Sequence, residues 1–296
     1  MDIQQLKSFL ETAKERNFSK AAHNLSRTQP AISLQVRSLE KELDLKLFER
    51  LGPKNIKLTP EGKSLFTLIS PILFEFSTLK ERFHESIGNS VKSRLKIVSN
   101  TATTNCLLPD VINIFKKKFP ETELNILNLV KKDIFSILNK GEADIAISSI
   151  STTPKSIERT VFASFDRILV TTKKHPLSKK SRITLSDLAK HPFILTSDDT
   201  DITNVIKDVF IKNNLKYKVV MEVTGGKTLK TYIEMNMGIS ILNEYYLAKE
   251  NTKDLFIKNA SSLFGKAEMS LLTRKNRYLS KQGREFKNIL ISEVNK

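Results

Sequence analysis

The chain has 296 residues, too many for one small core, so two or more domains are expected. Hydrophobic residues make up 40% and charged residues 27%, which excludes an intrinsically disordered chain. The formal net charge of +17 suggests an acidic partner, but residues 1–88 carry a net of only +3 and the remainder +14. Total charge is therefore weak support for nucleic-acid binding, and a local motif must carry that claim. The single cysteine, Cys106, excludes an internal disulfide framework. No window approaches 18 consecutive apolar residues, and MDIQQLKSFLE lacks the form of a secretory leader. A cytoplasmic protein with no membrane partner is expected.

Ile3, Leu6, Phe9, Leu10 and Ala13 mark the inner face of a first helix. Ser19 is the expected N-cap of a short second helix, Lys20 to Leu25, in which Ala21 and Ala22 allow close helix approach. Ser26-Arg27-Thr28 forms a turn. Thr28 then caps a third helix, with Pro30 in its first turn. Ile32, Val36, Leu39 and Leu43 form the buried stripe of that helix, while Gln29, Ser33 and Arg37 lie on another face. Short helix, tight turn and longer helix with a polar face fit helix-turn-helix geometry, which can present side chains to the DNA major groove. A hairpin around a Gly-Pro turn follows, carrying Arg50, Lys54 and Lys57 as a wing for DNA backbone or minor groove. The competing reading of the same spacing is a helical hairpin with a solvated polar face.

FSKAAHNLSRTQPAISLQVRSLEKELDLKLFER and LTPEG together resemble the N-terminal winged helix-turn-helix of LysR-type transcriptional regulators. The resemblance implies that Gln29, Pro30 and Ser33 meet base edges or nearby backbone. It places Arg37, Arg50 and Lys57 near phosphate or the minor groove. Leu34 departs from the family pattern, in which arginine is common. Either a base or phosphate contact is missing there, or a thymine-methyl contact replaces it.

Thr59 and Pro60 open a further helix. Leu65, Ile69, Ile72, Phe76, Leu79 and Phe83 step by alternating fours and threes, the pattern of a seam against a second helix, so a homodimer is expected. Pro71 is expected to bend the helix, and Gly88-Asn89-Ser90 to close it. The resemblance implies the same linker helix and a homotetramer built from two dimers as a further possibility.

From residue 94 strand-like and helical runs alternate, which argues for α/β layers with mainly parallel sheets. Ligands in such folds lie beyond the carboxyl ends of strands. Polar clusters recur there: Ser99 to Asn105, Ser148-Ser149, Thr196-Ser197 and Thr224-Gly225-Gly226. Any one of these hydroxyls is ordinarily an N-cap; their repetition at four corners points to a cleft for a small polar or anionic ligand. ADIAISS, KKHPLS, KTLKTYIEMNMGISIL and LLTRKNRYLSKQGREF resemble the type II periplasmic-binding-protein fold of LysR-type effector domains, with a lean to the CysB-like branch. The resemblance implies that Asn100, Thr101, Thr103, Ser148 and Thr196 occupy cleft positions. Ser197-Asp198-Asp199-Thr200-Asp201 either receives a cationic group of the ligand or complements the positive end of the next helix, the more ordinary role.

The expected organisation is a winged helix-turn-helix over 1–59, a linker and dimerisation helix over 60–90, and an α/β effector domain. Its first subdomain comprises 91–161 with 268–296, and its second 162–267. No hydrolase, phosphate-loop or metalloprotease motif occurs, and His23, His84, His175 and His191 are dispersed, so neither enzyme activity, metal nor cofactor is expected. Cys106 near a helix start is expected to pack half-buried. The expected function is ligand-responsive transcriptional control. Double-stranded DNA at promoter inverted repeats, a small metabolite and RNA polymerase are the expected partners. The competing readings are a solute-binding protein, an enzyme with an appended DNA-binding domain, and an effector-independent DNA-binding protein.

Overall fold

The computed structural model describes residues 1–50, 56–87, 94–129, 131–150, 152–196, 201–248 and 250–294. They form two compact units, one comprising 1–91 with 139–142, the other 92–138 with 143–296.

The first unit opens with α1 (Ile3–Glu15), α2 (Phe18–Asn24) and α3 (Gln29–Leu43). Each start is held by a side chain that accepts an otherwise unpaired backbone N–H. Asp2 and Gln5 form a reciprocal capping box on α1, Asn17 caps α2, and Thr28 caps α3. The cap of α2 is thus Asn17 and not Ser19, and the helix begins two residues earlier than expected. An Asx cap reaches Lys20 N–H at 3.0 Å and leaves Phe18 inside the helix, where its ring meets Phe48. Ile32, Val36 and Leu39 are buried, as the spacing predicts, with Phe9, Leu47, Ile69 and Leu73 completing the core.

The wing strands β1 (Phe48–Arg50) and β2 (Ile56–Leu58) pair antiparallel, Phe48 opposite Leu58. Glu40, on α3, anchors their entry: its carboxylate accepts from the backbone N–H of Leu47 at 2.8 Å and of Phe48 at 3.4 Å, and pairs with Lys46. The chain then enters α4 (Pro60–Ser86) through the LTPEG motif. Thr59 accepts from Gly62 N–H and donates to the Lys46 carbonyl at 2.7 Å. A Cβ on Gly62 would stand 2.2 Å from the Leu47 carbonyl oxygen, so the motif needs glycine for close approach.

On α4 the expected seam divides. Ile69 is 4% exposed and packs in the core with Leu65 beside it, so neither faces outward. The reason is the three-helix core itself, whose open side the first turns of α4 must cover. Leu68, Ile72, Phe76, Leu79 and Phe83 are exposed, and Leu68 takes the outward place expected of Leu65.

The second unit begins with β3 (Arg94–Ser99), α5 (Thr101–Cys106), α6 (Leu108–Lys118), β4 (Glu123–Asn128), α7 (Lys131–Lys140), β5 (Ile145–Ser148) and β6 (Ile157–Phe165). Then come β7 (Arg167–Thr172), a 3-10 turn (Pro176–Lys179), α8 (Leu185–Ala189), β8 (Pro192–Thr196), α9 (Asp201–Lys212), β9 (Lys218–Val223) and α10 (Gly226–Glu234). The chain closes with β10 (Ser240–Asn243), a 3-10 turn (Glu244–Leu247), β11 (Leu255–Asn259), α11 (Ser261–Phe264), β12 (Ala267–Arg274) and α12 (Lys281–Val294). One five-stranded sheet runs β4-β3-β5-β12-β6; a second layer holds β10-β7-β11 and the pair β8-β9.

The strands are not mainly parallel: the five-stranded sheet is mixed, the three-stranded one antiparallel and the β8-β9 pair parallel. β3 is parallel to β4 and β5, and β8 to β9, but β12 is antiparallel to β5 and β6, and β7 to β10 and β11. The antiparallel members are the returning strands, including β6 and β11, whose broken alternation hid them in the sequence. Residues 162–165, expected in the second subdomain, continue β6, and Phe165 pairs with Ala267 in the first sheet.

His175 and His191, distant in sequence, meet edge to face with ring centroids 4.4 Å apart. Burial, and for His175 the neighbouring His191, depress its pKa; His191 is likewise lowered, chiefly by burial. Among the described residues no helix is long and apolar enough to cross a membrane.

Gly62→Ala should lower the stability of the first unit by roughly 1–3 kcal/mol, because backbone must move to admit the methyl; an unchanged denaturation midpoint would contradict the close approach. The two histidines bind protons more readily when unfolded, so their contribution to stability is complete above about pH 6.5 and lost as the pH falls below it. Thermal unfolding between pH 7.5 and 5.5 should show this loss, and His191→Gln should flatten it.

Candidate functional sites: a reading helix and an effector cleft

The outer face of α3 is built by the burial of its inner one. With Ile32 and Val36 sealed in the core, Gln29, Pro30, Leu34 and Arg37 are left exposed and Ser33 half-exposed. Gln29 Nε2 lies 3.5 Å from Ser33 Oγ, so the two side chains share one edge of the helix. Thr28 accepts from Ala31 N–H at 3.4 Å at the helix start. Lys57 is exposed on β2. Arg50 ends β1, but its side chain and the whole of Lys54 lie outside the described residues. Gln29, Ser33 and Arg37, of the types that meet base edges and phosphates, share one face of α3 opposite its buried residues, and Lys57 stands exposed on the wing.

The second unit holds a cleft of about 260 Å³. Its walls come from the carboxyl ends of β3, β4, β5, β8, β9 and β10, where strands hand over to helices. Asn100, Thr101, Ser148, Thr196 and Thr224 line it, as expected from the corners they occupy. Two expected residues do not. Ser99 is fully buried and donates to the Ile147 carbonyl at 3.2 Å, tying β3 to β5. Thr103 is fully buried beside Tyr245, with its N–H held by the Asn100 side chain at 2.8 Å. Both face inward because the first turn of α5 follows directly on β3, which places alternate hydroxyls on the core side.

Asn128, Asn243 and Tyr246 line the cleft and were not legible from the sequence. Asn243 is only 3% exposed and lies beside the buried Tyr245. Nothing in its sequence context separates it from an ordinary strand end. Gly225 has φ +88, a conformation that favours glycine, and a Cβ on Gly226 would stand 2.9 Å from the Tyr246 ring. Gly225 thus supplies the turn into α10, and Gly226 the close approach of backbone to Tyr246. The start of α10 carries no side-chain cap.

Of the acidic run, Asp198 and Asp199 lie outside the described residues. Asp201 lines the cleft at the first residue of α9 and pairs with the buried Arg167 at 3.2 Å, so it both complements the helix and faces the site. Burial lowers the Arg167 pKa, while Asp201 opposes that shift. Cys106 is half-buried and its Sγ lies 3.9 Å from the Tyr246 carbonyl oxygen, a packing position behind the cleft. Among the described residues no group of three or more His, Cys, Asp or Glu side chains is placed to hold a metal ion.

Comparison with known proteins joins these two sites. Residues 3–63 match the bacterial regulatory helix-turn-helix of the lysR family, and residues 88–295 match the LysR substrate binding domain. The HTH-type transcriptional regulator cbl of Escherichia coli K12 is 30% identical over 267 residues, covering 89% of this chain and 84% of that one. CysB of Burkholderia cenocepacia is 27% identical over 282 residues, covering 94% and 90%. These relatives agree with the lean to the CysB-like branch, and they are transcriptional regulators, not enzymes. A full-length CbnR, solved in complex with its target DNA, shares the fold with a TM-score of 0.64 at 18% identity, covering 100% of this chain and 99% of that one. The chain belongs to the LysR family of bacterial regulators and is a DNA-binding transcriptional regulator with an effector-binding domain.

Proposed function

We propose that this regulator binds promoter inverted repeats as a homodimer or homotetramer in the cytoplasm, and passes the occupancy of its cleft to RNA polymerase. The observation that carries the DNA half is the exposed face of α3, held rigid by the burial of Ile32, Val36 and Leu39. On this reading Thr28, Gln29, Pro30 and Ser33 approach base edges. Arg37, Arg50, Lys54 and Lys57 meet phosphate or the minor groove. The exposed row Leu68, Ile72, Phe76, Leu79 and Phe83 supports pairing of α4 with a second copy, which would set two reading helices one DNA turn or a multiple apart.

The cleft, at about 260 Å³, supports a small-metabolite effector. Its lining combines hydroxyls, amides and the Asp201 carboxylate with apolar side chains such as Ile134 and Ile202, with no lysine or arginine among the described lining residues. An acceptor group of the ligand would meet the open start of α10 at Gly225-Gly226 and the hydroxyls of Thr101 and Ser148. A donor group would meet the Asp201 carboxylate at the start of α9. Thermodynamically the ligand acts on DNA binding only through unequal affinity for two arrangements of the protein.

Footprinting upstream of the protein's own reading frame and its divergent neighbour, with and without a metabolite panel, tests the whole reading. Protection over an inverted repeat that shifts with one compound is the expected result; absence of protection at moderate salt would return the cleft to simple solute binding. Gln29→Ala or Ser33→Ala should weaken specific over non-specific binding by about 1–3 kcal/mol, and an unchanged ratio would remove that residue from the reading set. Lys57→Ala should weaken binding to every sequence and flatten the salt dependence by about one unit per protomer. A loss confined to one sequence would contradict a phosphate contact.

A further inference from the structure

Leu34 is 69% exposed, on a helix whose other large aliphatic side chains are buried or half-buried. Scattered exposed leucines are common and call for no explanation by themselves. The position of this one does. Ile32 and Val36, both buried, stand two residues to either side of it, about 200° around a helix of 3.6 residues per turn, so Leu34 points directly away from the core. Pro30, Arg37 and Lys41 lie four residues before, three after and seven after, all exposed on the same line. The outermost edge of α3 is therefore apolar in its first half and cationic in its second.

This division matches the chemistry of a duplex. The amino-terminal part of a reading helix reaches the floor of the major groove, and its later turns rise towards phosphate. Among the groups that the four bases expose on the major-groove floor, the 5-methyl of thymine is the apolar one. A leucine offers no donor or acceptor, so against a cytosine amino or guanine carbonyl it would strip water and return no hydrogen bond. Against a thymine methyl it removes two apolar surfaces from water at once.

We infer that Leu34 is a specificity-determining residue of this regulator, selecting thymine at one position of each half-site through contact with the 5-methyl group. The inference rests on the placement of α3 in the major groove proposed above. It differs from the roles of Gln29 and Ser33, which act through hydrogen bonds, and from that of Arg37, whose charge serves every sequence alike.

Deoxyuridine tests it directly, because it keeps every hydrogen-bonding group of thymine and lacks only the methyl. The full-length protein would first select duplexes from a random pool, and each thymine of the selected half-site would then be replaced by deoxyuridine in turn. Burial of one methyl-sized group is worth about 0.8 kcal/mol, or about fourfold in affinity. One thymine per half-site should show a loss of about that size with the wild-type protein. Leu34→Ala should bind the thymine and deoxyuridine duplexes equally at that position, while keeping its non-specific affinity and its thermal midpoint, since the residue is exposed. A wild-type protein indifferent to deoxyuridine at every position overturns the inference and leaves the DNA reading intact. So does a Leu34→Ala variant that keeps the full deoxyuridine loss, which would assign the methyl contact to another residue. A selection that enriches no sequence overturns both.

Discussion

The first turn of every helix leaves backbone N–H groups that the helix itself cannot satisfy, and much of this protein's organisation follows from how they are met. In the first unit they are met from within. Asp2, Asn17, Thr28 and Thr59 each turn a short polar side chain onto the helix they precede. These caps fix where α1 to α4 begin, and hence the direction in which α3 presents its outer face. Glu40 extends the same device to the wing by accepting two backbone N–H groups at its entry. In the second unit Asn100 still caps α5, but α10 begins behind Gly225 with no capping side chain and opens into a cleft.

The linker helix α4 serves two surfaces with one sequence. One face of it, with Leu65, Ile69 and Leu73, completes the core beneath α3, and the other, Leu68, Ile72, Phe76, Leu79 and Phe83, stays exposed. A heptad-like spacing alone cannot divide these roles, because both faces follow the same alternation of threes and fours. The division is made by which side of α4 the core of the first unit covers: Ile69 and Leu73 are buried while their neighbours Leu68 and Ile72 are exposed.

The cleft mixes apolar walls with hydroxyl, amide and carboxylate groups and has no lysine or arginine among its described lining residues, in a chain whose net charge is strongly positive. The basic residues of the second unit are largely spread over its surface, while Arg167 is turned inward against Asp201 and the Phe264 carbonyl. Recognition in such a site depends on directed hydrogen bonds and not on net attraction, which favours discrimination between ligands of equal charge. The close packing of Gly226 on Tyr246 and the buried amide of Asn243 give the site a shape that would reject a group of the wrong polarity.

The sequence by itself determined the three-helix opening, the inward stripe of α3, the wing, the order of most strands and the four polar corners of the cleft. These depend on local chemistry: residue spacing of two or 3.6, N-capping side chains, and glycine or proline at turns. It could not show that Ser99 and Thr103 turn inward, that Leu65 and Ile69 belong to a core, that the strands are not mainly parallel, or that Asn243 and His191 meet residues far away in the chain. Those depend on which face of an element is covered by a distant one. Only tertiary packing decides that, because burial is a property of neighbours and not of the residue that is buried.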